Sequence, residues 1–248
     1  MRVIVRRPDL RAPFPDRFSK RLAGKTALAV QRRAKYLLVT LSSGETLVMH
    51  LGMSGSFEID IERLEPEDAR HDHVVFRMSS GAVVTFNDPR RFGFMDLLDA
   101  EALAAHPVLS RLGPEPLSPA FDASALARAC KGKRTPLKGA LLDQRVVAGL
   151  GNIYAAEALH LARLSPERQA STIATPSGAP REAARRLAAA IKQVLTEAID
   201  RKSAAVYRSA RFRVYDREGE PCRRGRCGTI ARRTQAGRST FFCPRCQR

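Results

Sequence analysis

The strongest constraint on this chain is the arrangement of its C-terminal cysteines. Cys222 and Cys227 form one close pair, and Cys243 and Cys246 form a second pair after fifteen intervening residues. Each pair can supply two thiolates from one turn, and four thiolates surround zinc tetrahedrally. We therefore predict one structural Zn²⁺ bound by these four residues; reduced cysteines in a loose tail are the alternative. Cys130 follows an Ala-rich helical pattern and is predicted to be a small buried residue, not a nucleophile.

Positive charge is concentrated in two stretches of the chain. The formal charge is +18, with 14 Lys/Arg against 3 Asp/Glu in residues 201–248 and 11 against 3 in the first fifty residues. Two separated basic stretches suit a polyanion. Nucleic acid is preferred to an acidic membrane surface, because no basic amphipathic helix with an aromatic face is evident. An arginine-rich, high-GC genome is the other explanation of this charge.

Composition and the first residues predict a protein that neither spans a membrane nor is exported. With 44% hydrophobic and 27% charged residues, the chain has the composition of a globular protein with room for two modest cores. No signal-peptide pattern follows Met1, and the most apolar window, 146–162, is interrupted by polar residues. Reduced thiols without an export signal predict a bacterial, nucleoid-associated protein of the cytoplasm. The absence of a heptad pattern or large apolar face predicts a monomer.

The spacing of apolar residues predicts an α+β chain of several domains. Residues 1–105 contain short apolar runs around turns at 42–44 and 79–81, which is typical of a β-sandwich or barrel. Prolines near residues 114–119 mark a joint. Beyond it the pattern is helical, and three- and four-residue spacing over 181–200 predicts an amphipathic helix. The cysteine-rich end is predicted to form a zinc hairpin.

A glycine-rich turn precedes one of the predicted helices. Gly149 and Gly151 permit a tight turn with positive φ, and Asn152 is predicted to cap the helix that follows. Free N–H groups and the positive end of a helix dipole suit a phosphate. Many turns between helices contain glycine only because the backbone must turn. The glycine-rich turn therefore indicates a phosphate site only in combination with the high positive charge and the predicted zinc site.

Seven sequence segments together resemble one known family. They are QRRAKYLL (31–38), HLGMSGS (50–56), HDHV (71–74), DPRRFG (88–93), LGPEPLS (112–118), the run from LDQ to GLGNIYAAEAL (142–159) and GRSTFFCPRCQR (237–248). In content and order they are similar to the formamidopyrimidine-DNA glycosylase/endonuclease VIII family. The resemblance implies an α+β multidomain fold: an N-terminal β-sandwich (1–105), a helical helix-two-turn-helix DNA-binding domain (106–205) and a C-terminal β-hairpin zinc finger (206–248).

The resemblance also implies base excision repair of oxidised purines, such as 8-oxoguanine and formamidopyrimidines, in duplex DNA. Such enzymes flip the damaged nucleotide out, cut its glycosidic bond and open the abasic strand through a Schiff base. The vacated space must be filled, a role implied for Met53, Arg90 and Phe92. A thioether and a ring replace stacking, and a guanidinium pairs with the orphaned base. Without the resemblance, Met53 and Phe92 would be interpreted as core residues.

The same resemblance implies the remaining site residues. Phosphate contacts, which do not read sequence, are implied for His71, Arg90, Lys133, Lys138 and Asn152. Lys35 corresponds to the proton donor of β-elimination, and Arg238 to the arginine assigned to δ-elimination. From residue type alone, the three lysines would be solvated surface charges, and His71 a turn residue bonded to Asp72.

Two departures from the family pattern bear on activity. Family members begin Pro-Glu-Leu-Pro-Glu after removal of the initiator Met, and the proline amine is the nucleophile. The sequence lacks this proline and glutamate, so we expect either a misassigned start codon or a chain that is truncated in fact. The segment RKSAAVYRSAR (201–211) is shorter than the family's loop over the extruded base, which puts the lesion preference in doubt.

Three functions stay open on the sequence alone. A DNA glycosylase/AP lyase is preferred. A non-catalytic zinc-dependent protein that binds damaged DNA is the leading alternative. A third is an RNA-binding zinc-ribbon protein, which would bind RNA more tightly than an abasic-site duplex.

Overall fold

The computed structural model describes residues 1–61, 70–200, 212–225 and 227–248. The chain divides into two compact units, residues 1–110 and 111–248. The predicted helical and zinc-finger regions therefore belong to one unit. The predicted boundary between residues 205 and 206, and the short segment 201–211, lie outside the described residues. None of the described helices combines the length and apolar composition that crossing a lipid bilayer requires.

The first unit is a sandwich of two four-stranded antiparallel sheets, as predicted. Its elements are β1 (Arg2–Val5), α1 (Phe18–Leu22), β2 (Ala27–Arg33), β3 (Tyr36–Leu41), β4 (Thr46–His50), β5 (Ser56–Asp60), β6 (Asp72–Arg77), β7 (Val83–Asn87), β8 (Phe94–Leu98) and α2 (Ala100–Ala105). The strand orders are β1-β6-β7-β5 and β2-β3-β4-β8. Because side chains alternate across a strand, Leu47 and Met49 of one sheet meet Val74 and Phe76 of the other in one core.

Two crossovers between the sheets lie side by side at one end of this sandwich. The turn 51–55 leads from β4 to β5, and the loop 88–93 leads from β7 back to β8. The strand register pairs His50 with Phe94 and Ser56 with Asn87. The two connections therefore start and finish beside each other, and they contain Met53, Arg90 and Phe92. The predicted hairpin turns at 42–44 and 79–81 are confirmed as the links from β3 to β4 and from β6 to β7.

The second unit is helical and ends in a two-stranded hairpin. Its elements are α3 (Ala123–Cys130), α4 (Leu137–Leu142), α5 (Asn152–Leu161), α6 (Glu182–Asp200), β9 (Ala231–Gln235) and β10 (Arg238–Phe242), with a short 3-10 helix at Ala170–Ile173. The amphipathic α6 is confirmed and buries Leu187 and Ile191 in the helical core. Cys130 is fully buried in the same core. Burial raises the pKa of its thiol to about 11, which disfavours a nucleophilic thiolate.

The hairpin turn is tight enough to fix the first residue of β10. Ala236 and Gly237 both have positive φ, +48° and +70°, which is the requirement of a two-residue type I′ turn. Gln235 and Arg238 are paired directly across this turn. Arg238 therefore starts its strand at a defined position while its side chain remains exposed.

Candidate nucleic-acid interface and metal centre

Three side chains implied in base extrusion lie on the paired crossovers of the first unit. Met53 is 71% exposed and Phe92 is 41% exposed, so neither is the core residue that its type would indicate. The guanidinium carbon of Arg90 lies 4.7 Å from the centre of the Phe92 ring, which is within cation–π range. A thioether, a ring and a guanidinium therefore project from one end of the sandwich.

A buried carboxylate joins the two crossovers. Asp88 is fully buried; its Oδ1 accepts from the Ser54 hydroxyl at 2.5 Å and its Oδ2 accepts from the Gly93 N–H at 2.8 Å. The Arg90 N–H donates in turn to the Ser54 hydroxyl oxygen at 3.2 Å. A buried carboxylate needs such partners. The network holds the backbone beside Met53 to the backbone that carries Arg90.

Gly52 brings the two crossovers into backbone contact. Its φ is +64°, and an added Cβ would lie 2.4 Å from the carbonyl carbon of Phe92. Only glycine fits such an approach without displacement. The Gly52 N–H also donates to Nδ1 of His50 at 2.9 Å, which fixes the start of the turn. The positions of Met53 and Phe92 are thus mutually dependent.

Lys35 lies in the turn between β2 and β3, beside a cavity of about 340 Å³. The cavity is lined by Arg32, Lys35, Tyr36, Leu37, His50, Leu51 and Gly52. Burial, followed by the charges of Lys35 and Arg11, lowers the pKa of His50, so its ring is neutral at neutral pH. Lys35 therefore shares a cavity with a neutral imidazole that supports the Met53 turn.

His71 lies in the turn before β6 and is half-buried. Its carbonyl oxygen accepts from the Asp88 N–H at 2.9 Å, which places it at the start of the 88–93 loop. The carboxylate of Asp72, the partner considered for His71, accepts from the Asn87 amide at 2.7 Å. Within the first unit the structure thus brings His71 beside the loop that carries Arg90 and Phe92.

Lys138 is not the surface lysine that its residue type indicates. It is 1% exposed, and its ammonium donates to the Ser239 carbonyl at 3.1 Å and to the Thr240 hydroxyl at 2.6 Å. Burial, and then Arg238, lower its pKa to about 8. Its long side chain crosses from α4 to β10, a contact that spacing in the sequence could not show. Lys133 is half-buried and lies 3.9 Å from the Asp143 carboxylate.

The predicted cap at Asn152 is wrong. Gly151 occupies the N-cap position with φ −109°, Gly149 alone of the pair has positive φ (+77°), and Asn152 is the first helical residue. The Asn152 amide donates to the Ser239 carbonyl at 3.0 Å. This tertiary partner replaces the local cap. The start of α5 therefore lies against the hairpin strand that begins at Arg238.

The four C-terminal cysteines converge as predicted. Their sulfur atoms all lie within 4.8 Å of one another, with Cys222 and Cys246 3.9 Å apart and Cys227 and Cys243 3.6 Å apart. A tetrahedral zinc with Zn–S bonds of about 2.3 Å requires sulfur atoms about 3.8 Å apart. The thiols therefore fit one Zn²⁺ without rearrangement, and its role is structural because all four positions are occupied by protein.

Two residues of α5 that the sequence reasoning did not assign also reach the zinc-finger segment. Glu157 is buried, and its carboxylate accepts from the backbone N–H groups of Arg213, Val214 and Tyr215 at 2.7, 2.8 and 3.0 Å. Nε2 of His160 lies 3.3 Å from the Cys222 sulfur. Burial lowers the pKa of His160 to about 4, with smaller contributions from neighbouring arginines. The available signal was two titratable residues, Glu157 and His160, three positions apart in a helix that is otherwise apolar after Tyr154.

We predict that Gly52→Ala perturbs the crossovers more than a matched glycine change. Gly81→Ala is the control, because Gly81 has a comparable φ of +89° but nothing within 4 Å of an added Cβ. The control should lose about 1–3 kcal/mol from backbone strain. Gly52→Ala should lose more, because Phe92 must also move. Urea unfolding followed by the strand circular dichroism tests this, and equal losses would contradict the contact.

We predict that Cys243→Ser abolishes stoichiometric zinc binding and unfolds the hairpin, with loss of DNA binding. Cys130→Ser is the control, because Cys130 is buried in the helical core and should leave one zinc per chain. Elemental analysis gives the zinc content, and the strand signal of the first unit should be unchanged. A Cys243→Ser protein that keeps its zinc and its thermal stability would contradict the four-cysteine site.

Comparison with known proteins gives a consistent result over the whole chain. The formamidopyrimidine-DNA glycosylase N-terminal domain matches residues 1–95, the formamidopyrimidine-DNA glycosylase H2TH domain matches 112–209, and the zinc finger found in FPG and IleRS matches 219–248. The formamidopyrimidine-DNA glycosylase of Rhodopseudomonas palustris (strain BisA53) is 54% identical, covering 99% of this chain and 92% of that protein. That of Azorhizobium caulinodans is also 54% identical, covering 98% and 91%.

Solved structures agree. The MutM (Fpg) protein of Thermus thermophilus is 40% identical with a TM-score of 0.81, covering 99% of this chain and 90% of that one. Lactococcus lactis Fpg in complex with DNA containing Fapy-dG is 29% identical with a TM-score of 0.86, covering 100% and 91%. Family matches across both units, with close relatives along nearly the full length, establish that the chain belongs to the formamidopyrimidine-DNA glycosylase family.

Proposed function

We propose that this chain is a DNA glycosylase with AP lyase activity that removes oxidised purines, such as 8-oxoguanine and formamidopyrimidines, from duplex DNA. It acts as a monomer in base excision repair, in the bacterial cytoplasm. The observation that carries the proposal is the set of exposed Met53, Arg90 and Phe92 side chains on two mutually fixed crossovers. Apolar side chains held outside a core on rigid backbone suit insertion into a base stack.

The extrusion step follows from the chemistry of these three side chains. A flipped nucleotide leaves its neighbours unstacked and its partner base unpaired. Met53 and Phe92 replace the lost stacking, and the donors of Arg90 satisfy the partner base. Because Arg90 lies over the Phe92 ring, the guanidinium is positioned before DNA arrives. Little ordering of these side chains is then required on binding.

The remaining assignments concern the DNA backbone and strand opening. His71, Lys133 and the N-terminus of α5 at Asn152 bind phosphate without reading sequence. Lys35 donates the proton of β-elimination, and Arg238 acts in δ-elimination. For Lys138 the resemblance implies a phosphate contact; its ammonium also holds the Ser239 carbonyl, so we propose that it positions the strand that begins at Arg238. The zinc maintains the hairpin and takes no part in the chemistry.

Borohydride trapping tests the activity. If the protein produced from its own gene carries the N-terminal proline that residues 1–248 lack, it should release the base from an 8-oxoguanine duplex and cleave the strand. Borohydride should then trap it as a covalent adduct, by reducing the Schiff base that the proline amine forms with the opened sugar. An undamaged duplex is the control. Selective binding of the damaged duplex without base release or adduct would instead support the non-catalytic damaged-DNA-binding protein. Tighter binding to RNA than to abasic-site duplex would support the RNA-binding alternative.

We predict that Arg90→Ala weakens binding to a lesion duplex by about tenfold or more, because the unpaired base loses its donors. Binding to undamaged duplex should weaken much less. Arg91→Ala is the matched control, since it removes the same charge from the same loop and should weaken both duplexes alike. Titrations at fixed salt measure the ratio of the two affinities. An unchanged ratio in Arg90→Ala would reduce Arg90 to a phosphate contact.

A further inference from the structure

His160 is a buried polar residue in an apolar helix. Its side chain is on the side of α5 that faces Cys222, and it is 2% exposed. Burial of an imidazole is unfavourable unless a partner compensates for lost water. Nε2 lies 3.3 Å from the Cys222 sulfur, within the range of an N–H···S hydrogen bond. Nδ1 has no hydrogen-bond partner among the described residues.

The state of the sulfur decides which group donates. Zinc binds thiolates, so a Cys222 sulfur in the zinc site has no proton to give and can only accept. The His160 ring must then carry its proton on Nε2, which leaves Nδ1 as a bare lone pair. A buried ring nitrogen without a proton is less costly to leave without a partner than a buried N–H, because unpaired buried N–H groups are the rarer case in proteins.

The first cysteine of each pair receives a different number of backbone donors. The Cys243 sulfur is hydrogen-bonded by the backbone N–H groups of Cys246 and Arg245. The Cys222 sulfur is hydrogen-bonded by the Arg224 N–H, and four residues separate Cys222 from Cys227, compared with two between Cys243 and Cys246. A side-chain N–H from His160 gives the Cys222 sulfur a second donor. Four thiolates on one Zn²⁺ carry a net charge of −2, so each donor stabilises the buried cluster.

We propose that His160 is a positioning residue of the metal centre, which donates an Nε2–H hydrogen bond to the zinc-bound thiolate of Cys222. The bond withdraws charge from the sulfur and holds Cys222 against α5. The Arg224 guanidinium donates to the carbonyls of His160 and Leu161 at 3.2 and 3.1 Å, so this residue also closes the end of the helix. This role depends on the zinc site and not on the proposed DNA chemistry.

The experiment compares two substitutions in the full, zinc-loaded chain. His160→Leu removes the donor, whereas His160→Gln places an amide N–H near the position of Nε2. The rate of zinc transfer to a colorimetric chelator at pH 7 should rise about 10-fold or more in His160→Leu, in line with outer contacts of metal sites. His160→Gln should stay close to the unsubstituted chain. In cobalt-loaded protein, the sulfur-to-metal absorption band should move to longer wavelength in His160→Leu alone.

A neighbouring substitution separates the hydrogen bond from general loosening of the helix. Leu159→Ala removes a fully buried side chain from the same helix without touching sulfur, so it should lower thermal stability and leave the cobalt band in place. The proposal fails if His160→Leu releases zinc at the unsubstituted rate, if His160→Gln releases it as fast as His160→Leu, or if Leu159→Ala shifts the cobalt band equally.

Discussion

The tetrathiolate cluster is the constraint on which the hairpin of the second unit depends. The segment from Cys222 to the C-terminus has few apolar residues, and its small core consists of side chains such as Ile230 and Phe241 around the cysteines themselves. A core of that size does not hold a hairpin by hydrophobic burial alone. A metal that binds four sulfur atoms supplies the missing free energy of folding. The hairpin strand and Arg238 can then take a defined position against α5.

In the first unit, hydrogen bonds and a close backbone contact hold the residues that bear exposed side chains. Its exposed Met53 and Phe92 would collapse onto the surface if their backbone were free to move. The buried Asp88 carboxylate and the backbone contact at Gly52 prevent this by joining two crossovers that are far apart in sequence. Fully satisfied polar networks of this kind make one arrangement much more stable than its competitors. The backbone is thus held rigidly at the two crossovers that carry the exposed Met53 and Phe92 side chains.

Much of the architecture could be predicted from the sequence, because the decisive signals are local. Hairpin turns at 42–44 and 79–81, the amphipathic α6 and the cysteine spacing each follow from residues close together in the chain. The family resemblance, rather than residue type, pointed to Met53 and Phe92, since exposed apolar side chains contradict the usual burial rule.

The features that were missed depend on partners distant in the chain. Lys138 is buried because β10, about one hundred residues later, offers it two acceptors. Asn152 does not cap its helix because the same strand gives it a better partner. In the sequence, Glu157 and His160 only interrupt an apolar helix. Their partners, the backbone at 213–215 and the Cys222 sulfur, lie more than fifty residues later in the chain. Local propensity cannot report such contacts, since tertiary structure overrides it.

The joint between the helices and the hairpin has an evolutionary consequence. Lys138 and Asn152 both recognise the main-chain oxygen of Ser239, and every residue type provides that oxygen. A substitution at position 239 therefore keeps both hydrogen bonds, whereas a substitution of Lys138 or Asn152 removes one of them. In homologues, the residue at position 239 should therefore vary, whereas Lys138 and Asn152 should be unchanged.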